Sequence, residues 1–386
     1  MNIATRPTHP FVPAQLHPLY GVAIGLIIGI GLEQLVFPSL KLIIISSTLL
    51  IIAATWSIYT YKNDTLRFIH FFILSIFIGL TLGSARLHQM RSIHADTSWI
   101  PSSPKRSDLK ATIVDSNRLD QPAVKQNILL QITDIRESGQ QSWTPTSRTI
   151  LWYSTKALDL TIADTIELSD ILVKHAKNDD FGKYLLKEGI DATIFTVNPV
   201  IKLISKPEWS AWRTIHSLRL NVLTALQKKL SYNAFSLFSS LFLGNRTIRK
   251  KHIVHLSEQF RLWGISHHLA RSGLHLVIFS FIWDRLLLCT PIPFIAKQLI
   301  LILIIATYFI LSWSSISFIR AVLCFLLYRV CAMFFAPVHT FYVLVFVCCS
   351  VLIHNPAQLF FLDFQLSFLL TGSLAWFNQL YSPYKI

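Results

Sequence analysis

The residues best equipped for chemistry gather in one stretch of the chain. Leu243-Gly244-Asn245-Arg246 is followed, after a basic run, by Gly264-Ile265-Ser266-His267-His268-Leu269-Ala270-Arg271-Ser272-Gly273-Leu274-His275. Three imidazoles so close together raise the question of a metal. There is no His-Glu-x-x-His pattern and no carboxylate or Cys set beside them, so structural hydrogen bonding is favoured, and neither a metal nor a cofactor is expected. Gly264 and Gly273 suit either a helix break and close helix contact or the lining of a wet path. Ionisable residues recur in the apolar sequence that follows: Asp284, Arg285, Arg320, Arg329 and Asp363. Asp284 and Arg285 fall near the end of an apolar run and read as interfacial. Arg320 and Asp363 sit deeper, where charges face a cavity or pair with one another; a helix-holding pair and a substrate contact both fit.

The elements that carry these residues are membrane spans. The chain has 386 residues, 52% hydrophobic and only 14% charged, with a mean hydropathy of +0.49. An ordinary soluble protein carries about 25% charged residues, so that class is excluded. Apolar runs at 19–37, 40–59, 66–85, 274–288, 294–312, 316–334, 338–353 and 359–377 predict a polytopic α-helical membrane protein of about eight spans. The first run follows a proline-containing leader with one Arg and no small-residue cleavage site, so it reads as a span rather than a cleavable signal. Between the third and later spans the apolar runs shorten to strand length. Segments at 109–114, 127–135, 148–153, 165–173 and 191–200, separated by Asp, Asn, Gly and Pro clusters, predict an inserted small all-β domain, with a short helix near 180–188. Three segments result: a three-helix membrane part at 1–86, the β domain at 87–205, and a second membrane part at 206–386. Lys62 and Arg67 flank the loop between the second and third spans, which predicts a cytoplasmic N-terminus and an external β domain. The five cysteines lie in or beside the later apolar runs and read as small hydrophobes, not as a disulfide framework.

Charge narrows the function. The formal net charge is +15, favouring an anionic partner such as membrane lipids, nucleic acid or acidic metabolites. Residues 97–205 hold 13 basic and 13 acidic side chains, so the β domain contributes nothing to the excess. Residues 207–261 hold nine basic side chains against Glu208 and Glu258. The stretch 207–230 is amphipathic, with Trp212, Ile215, Leu218, Val222 and Leu226 at helical spacing. Two readings of its basic residues stay open: a lipid-facing interfacial helix, or a funnel for a polyanion in which Arg213, Arg219, Lys228, Lys229, Arg249, Lys250, Lys251 and Arg261 contact phosphate.

The motif residues resemble the ComEC competence family. The stretch ending in Ser272-Gly273-Leu274-His275 is similar to that family's signature at the start of a span. Ser317-Phe318-Ile319-Arg320-Ala321 resembles its Arg-Ala span, and Asp363-Phe364-Gln365-Leu366-Ser367-Phe368 its Phe-Gln-Leu-Ser-Phe element. Arg271 departs from the pattern, since the family usually has an apolar residue there. The resemblance implies an inner-membrane conduit that passes single-stranded DNA into the cytoplasm during natural transformation. It also implies an OB-like β domain ahead of the membrane core. Such a domain would stack bases on Trp143, Trp152, Tyr153, Phe181 and Tyr184, with Lys105, Arg106, Lys110, Arg118 and Lys125 supplying charge. The family's metallo-β-lactamase-like domain, with its metal cluster, does not occur in this sequence, so no enzymatic activity is expected. Implied partners are other competence machinery proteins, a separate nuclease subunit and further copies of the chain. The rival expectation is an envelope scaffold whose β domain binds a protein partner.

Overall fold

A computed structural model describes residues 17–35, 64–100, 106–118, 126–156, 158–175, 179–196, 200–207, 209–244, 262–263, 273–313, 315–336 and 339–381, with Val124 and scattered positions between 44 and 56. In chain order the helices are α1 (Pro18–Leu35), α2 (Asp64–Ala95), α3 (Asp180–Glu188), α4 (Ala211–Lys229), α5 (Tyr232–Phe238), α6 (Gly273–Leu288), α7 (Phe294–Leu311), α8 (Ile316–Met333), α9 (Thr340–His354) and α10 (Leu362–Tyr381). The strands are β1 (Ser107–Arg118), β2 (Gln126–Glu137), β3 (Thr144–Ser154), β4 (Thr165–Ile171), β5 (Val173–His175), β6 (Ala192–Thr196) and β7 (Val200–Ser205). The chain divides into two compact units, one of residues 1–91 and 338–386, the other of residues 92–337.

Among the described residues, four helical segments are long and apolar enough to cross a membrane: Pro18–Leu35, Phe71–Ala95, Phe294–Leu311 and Ile316–Met333. Helices also stand where three more of the expected spans fall. Of these, α6 has 16 residues and α9 has 15, short for an untilted crossing, while α10 has 20 with a more polar sequence. The expected span at 40–59 lies mostly outside the described residues.

In the first unit α1 packs on α2 through glycines. A Cβ built at Gly25 would lie 1.8 Å from the Ile76 carbonyl oxygen, and one at Gly79 would lie 2.1 Å from that of Val22. Backbone therefore meets backbone in both directions, the close approach that small residues four apart permit and that dispersion rewards where lipid removes the hydrophobic drive. The same helix pair encloses a polar group. The Glu33 carboxylate is buried; the Ser84 hydroxyl donates to it at 2.9 Å, and His88 Nδ1 lies 2.9 Å from its other oxygen. Arg91 donates to the Glu33 carbonyl and the Gln34 side chain. A carboxylate in an apolar setting must be paired this way.

The second unit contains the β domain. Its sheet runs β5-β6-β3-β2-β1-β4-β7, antiparallel except for the β3–β6 pair. Only Leu172 separates β4 from β5, and β4 pairs with β1 while β5 pairs with β6. The run 165–175 thus joins both ends of the ladder and closes a barrel, with β7 added outside β4. Alternate residues fill it: Leu109, Ala111 and Ile113 from β1, Ile128, Leu130 and Ile132 from β2, Ile150 and Trp152 from β3, with Ile166, Leu168, Ala192 and Ile194. Register shifts in β1 and β2 mark bulges that let long strands bend around so small a core. The expected five strands become seven because the runs 165–173 and 191–200 each break in two. The expected helix stands at the predicted residues: Asp179 caps α3 by accepting from Gly182 N at 2.7 Å, and Gly189 ends it at φ 68°.

Candidate functional site

The described motif residues of the second unit converge on the N-terminus of α6. A π-helical turn, Ser239–Leu243, ends at Gly244 with φ 74°, a conformation that disfavours side chains with a Cβ. Its carbonyls are held by α7 and the segment that follows it: Tyr308 Oη donates to Phe242 O at 2.7 Å and Trp313 N to Leu243 O at 2.8 Å. The His275 ring meets Phe242 edge-on, 5.6 Å between centroids. On the other side, a Cβ at Gly273 would lie 3.2 Å from Ala321 Cβ and 3.7 Å from an Arg320 guanidinium nitrogen. Two sequence-distant pieces, Phe242 of the π-turn and Arg320–Ala321, therefore flank the Gly273–His275 end of α6. Beneath them Leu276, Ile305, Phe318 and Val322 form the buried core of α6, α7 and α8. Farther along, Arg329 reaches Asp284 at 3.3 Å and Gln298 at 3.2 Å, tying the same three helices. Asp284, read as interfacial from sequence, is thus one half of an ion pair.

Arg320 and Asp363 belong to different units. In the first unit Phe364 N donates to Asp363 Oδ1 at 3.1 Å, Gln365 Nε2 donates to Leu359 O at 2.8 Å, and the tilted rings of Phe364 and Phe368 lie 4.6 Å apart. These contacts fix the entrance to α10; Ser367 lies on the same helix. Arg246, Arg249, Lys250, Lys251, Arg261, Gly264, Ser266, His267, His268, Arg271 and Ser272 lie outside the described residues.

Two of the expected phosphate contacts are spent internally. Arg213 donates from Nε to Ile162 O at 3.0 Å, from Nη1 to Pro207 O at 2.9 Å, and from Nη2 to Thr161 Oγ1 at 3.0 Å and to the Asp164 carboxylate. Asp164 is completely buried and also accepts from Thr161 N and Oγ1, both at 2.9 Å. Arg213 is therefore a clamp that fastens α4 to the loop before β4. Arg219 donates to Ile310 O at 2.7 Å, at the C-terminal end of α7, and its guanidinium stacks over Trp313 at 4.8 Å. A cation there satisfies a carbonyl that the helix end leaves open. Lys228 and Lys229 stay exposed at the end of α4, a helix with no buried residue.

The expected stacking rings also divide. Trp152 is 0% exposed in the barrel core, so its ring is closed to a base; the strand alternation that buries Ile150 carries Trp152 inward with it. Trp143 stands between two cations, Lys110 Nζ and the Arg136 guanidinium, each 4.3 Å from its ring. Phe181 and Tyr184 are exposed and stacked at 6.4 Å on one face of α3. Tyr153 lies near Tyr184, and burial chiefly, with that neighbour, raises its phenol above the ordinary value. These three form an accessible aromatic patch.

Sequence reasoning passed over a cleft of about 440 Å³ between the barrel and α4. Thr112 to Asp115 of β1, Ile162 and Ala163, and Ser210, Trp212, Ile215, His216 and Arg219 line it. Ala163 has φ 69°, a strained conformation for a residue with a Cβ. Burial lowers the pKa of His216; Asp115 opposes this and Arg219 adds to it. The amphipathic pattern of α4 was the available signal, since it placed Trp212, Ile215 and Arg219 on neighbouring turns.

The apolar helices mark a membrane protein. No curated protein and no solved structure matches the chain. Residues 241–384, the stretch holding the described motif pieces of both units, match the model of the Competence protein family, which supports a competence-type protein.

Proposed function

We propose that this chain is a multi-pass inner-membrane protein of a DNA-uptake apparatus, and that it conducts single-stranded DNA rather than catalysing a reaction. The observation that carries the proposal is the packing of Phe242 and of Arg320–Ala321 against the Gly273–His275 end of α6 within the stretch that matches the Competence family. A strand of phosphates cannot cross hydrocarbon unaided and needs a protein-lined path with inward polar groups. In this reading the barrel, with its closure through 165–175 and its parallel β3–β6 pair, serves as an OB-like module, and OB barrels hold single strands by stacking on aromatics. Phe181, Tyr184 and Tyr153 supply the rings, and Lys228 and Lys229 supply charge. In this reading the N-terminus is cytoplasmic and the barrel external. The partners are membrane lipids, other competence proteins, a separate nuclease subunit and further copies of the chain. The test is deletion of the gene in a naturally competent host, followed by measurement of labelled DNA reaching the cytoplasm. The proposal expects loss of internalisation; normal internalisation sinks it.

The scaffold alternative draws on β7, whose Val200, Leu203 and Ile204 are exposed outside the barrel. An exposed apolar edge strand is a surface for strand addition by a partner. A neighbouring reading frame encoding further spans and a metal-dependent nuclease domain favours the conduit, and its absence favours the scaffold.

A further inference from the structure

The cleft between β1 and α4 has the makings of a ligand site that the conduit reading does not use. Its volume of about 440 Å³ falls within the range of roughly 300–1,000 Å³ typical of small-molecule sites. Its walls are Ile113, Val114, Ile162, Ala163 and Ile215, and its rim carries the indole of Trp212, which is 70% exposed. Three polar groups sit among these walls. Asp115 accepts from Ser116 N at 2.9 Å and Asn117 Nδ2 at 2.7 Å, which leaves lone pairs on both carboxylate oxygens. His216 Nδ1 and Arg219 Nε are buried with no hydrogen-bond partner, and native structures rarely leave such atoms unsatisfied. The site is rigidly built: the Arg213 clamp fixes Ile162 against α4, and Ala163 N donates to Ile113 O at 2.8 Å.

Apolar walls, one accessible aromatic ring, a carboxylate acceptor, an imidazole nitrogen and a guanidinium N–H match the chemistry of a nucleobase, which is flat, apolar on its faces and edged with N–H donors and acceptors. A phosphate alone fits poorly, because Asp115 shares the cleft with the two cationic or imidazole groups. We propose that this cleft takes one unpaired nucleobase of a single strand, stacked on Trp212, with an edge N–H donated to Asp115. The proposal rests on the single-stranded DNA reading and extends it: a duplex keeps its bases stacked inside, so a one-base cleft selects single strands at the barrel.

The test measures fluorescence anisotropy of a dye-labelled 20-nucleotide oligodeoxycytidine, and of a labelled duplex, on the detergent-purified full chain. Because Trp212 is mostly exposed, Trp212→Ala leaves folding intact. It should weaken single-strand binding roughly five- to a hundredfold, the range for loss of one base–aromatic stack, and leave duplex binding unchanged. Val114→Trp, which fills the cleft from β1, should weaken it similarly. Single-strand affinity unchanged in both variants overturns the base site, while the conduit reading stands on its own uptake experiment. Absence of single-strand binding by the unaltered chain, or equal affinity for duplex, also overturns it. So does a phospholipid that co-purifies with the unaltered chain and is lost in Trp212→Ala without change in oligonucleotide affinity, because that assigns the cleft to lipid.

Discussion

Replacing Arg213 with Ala separates a structural arginine from a phosphate contact. In the fold the side chain is one-quarter exposed and makes four hydrogen bonds, one of them to a carboxylate with no solvent exposure. Removing one partner of a buried ion pair costs about 3–5 kcal/mol, because the remaining charge is left uncompensated. The two Thr161 donors that stay on Asp164 place the expected loss near the lower figure, about 3 kcal/mol. For a module of about a hundred residues, each kcal/mol shifts the midpoint by about 4–8 °C, so the barrel transition should fall by roughly 10 °C or more. The assay is thermal unfolding of the detergent-purified full chain, with limited proteolysis of the loop before β4 as a local readout. Arg213→Lys keeps the charge but not the fork that serves four acceptors at once, so it should recover only part of the loss. Adding Asp164→Asn to Arg213→Ala should restore some stability by removing the orphaned charge, giving a coupling that the double-mutant cycle measures. If Arg213 instead contacted phosphate, Arg213→Ala would leave the midpoint in place and lower the salt slope of single-strand binding by about 0.7. That pattern would refute the clamp.

Gly25→Leu should separate α1 from α2, since even a Cβ there would sit 1.8 Å from a backbone oxygen; overpacking of this kind costs about 1–3 kcal/mol or more. Gly31→Leu, where a Cβ meets nothing within 4 Å, is the control, and both are read by thermal unfolding in detergent. Neutralising Lys228 and Lys229 should lower the salt slope of single-strand binding by about 1.4 if each contacts one phosphate; an unchanged slope returns them to the lipid interface. Burial first, and His94 second, hold the His175 imidazole below its ordinary value, with Asp191 opposing. A histidine with a depressed folded pKa is kept neutral by the fold, so its stabilisation is full above about pH 6.5 and lost as pH falls below that value. Replacing His175 with Gln should flatten the decline in unfolding midpoint between pH 7 and pH 5.5, and an equally steep decline in the variant would count against this assignment.

Much of the architecture follows from local pattern. Apolar runs marked the helices, and alternation marked the strands because Leu109, Ala111 and Ile113 must all face one core. The short helix was legible through Phe181, Tyr184 and Leu185 at helical spacing. Closure of the barrel was not, because it depends on a single-residue interruption at Leu172, which no propensity distinguishes from strand. The candidate site was legible only where chemistry and position agree in sequence. Gly273, His275 and Arg320 stood out as motif residues, but the π-turn at 239–243 that meets them has an ordinary helical composition. Trp152 could not be told from Trp143 by residue type; only the pleat of β3 decides which ring is inside.

The charge argument changes most once side chains have partners. The basic excess of 207–261 suggested a row of cations for a polyanion, yet the two described arginines of that row answer to fixed acceptors: a buried carboxylate for Arg213 and a helix-end carbonyl for Arg219. The two described lysines are exposed at the end of α4. This division follows from the side chains themselves. A planar guanidinium with five donors fixed in direction suits a static, multi-acceptor clamp, whereas an ammonium on a flexible stem is a point charge that any passing phosphate can share. A conduit needs the second kind along its path, since a strand held by bidentate forks at every phosphate would bind tightly and move slowly. Lysine-to-arginine replacement at 228 and 229 should therefore tighten single-strand binding yet slow DNA internalisation in a competent host, and faster internalisation by the arginine variant would contradict this view of the basic segment.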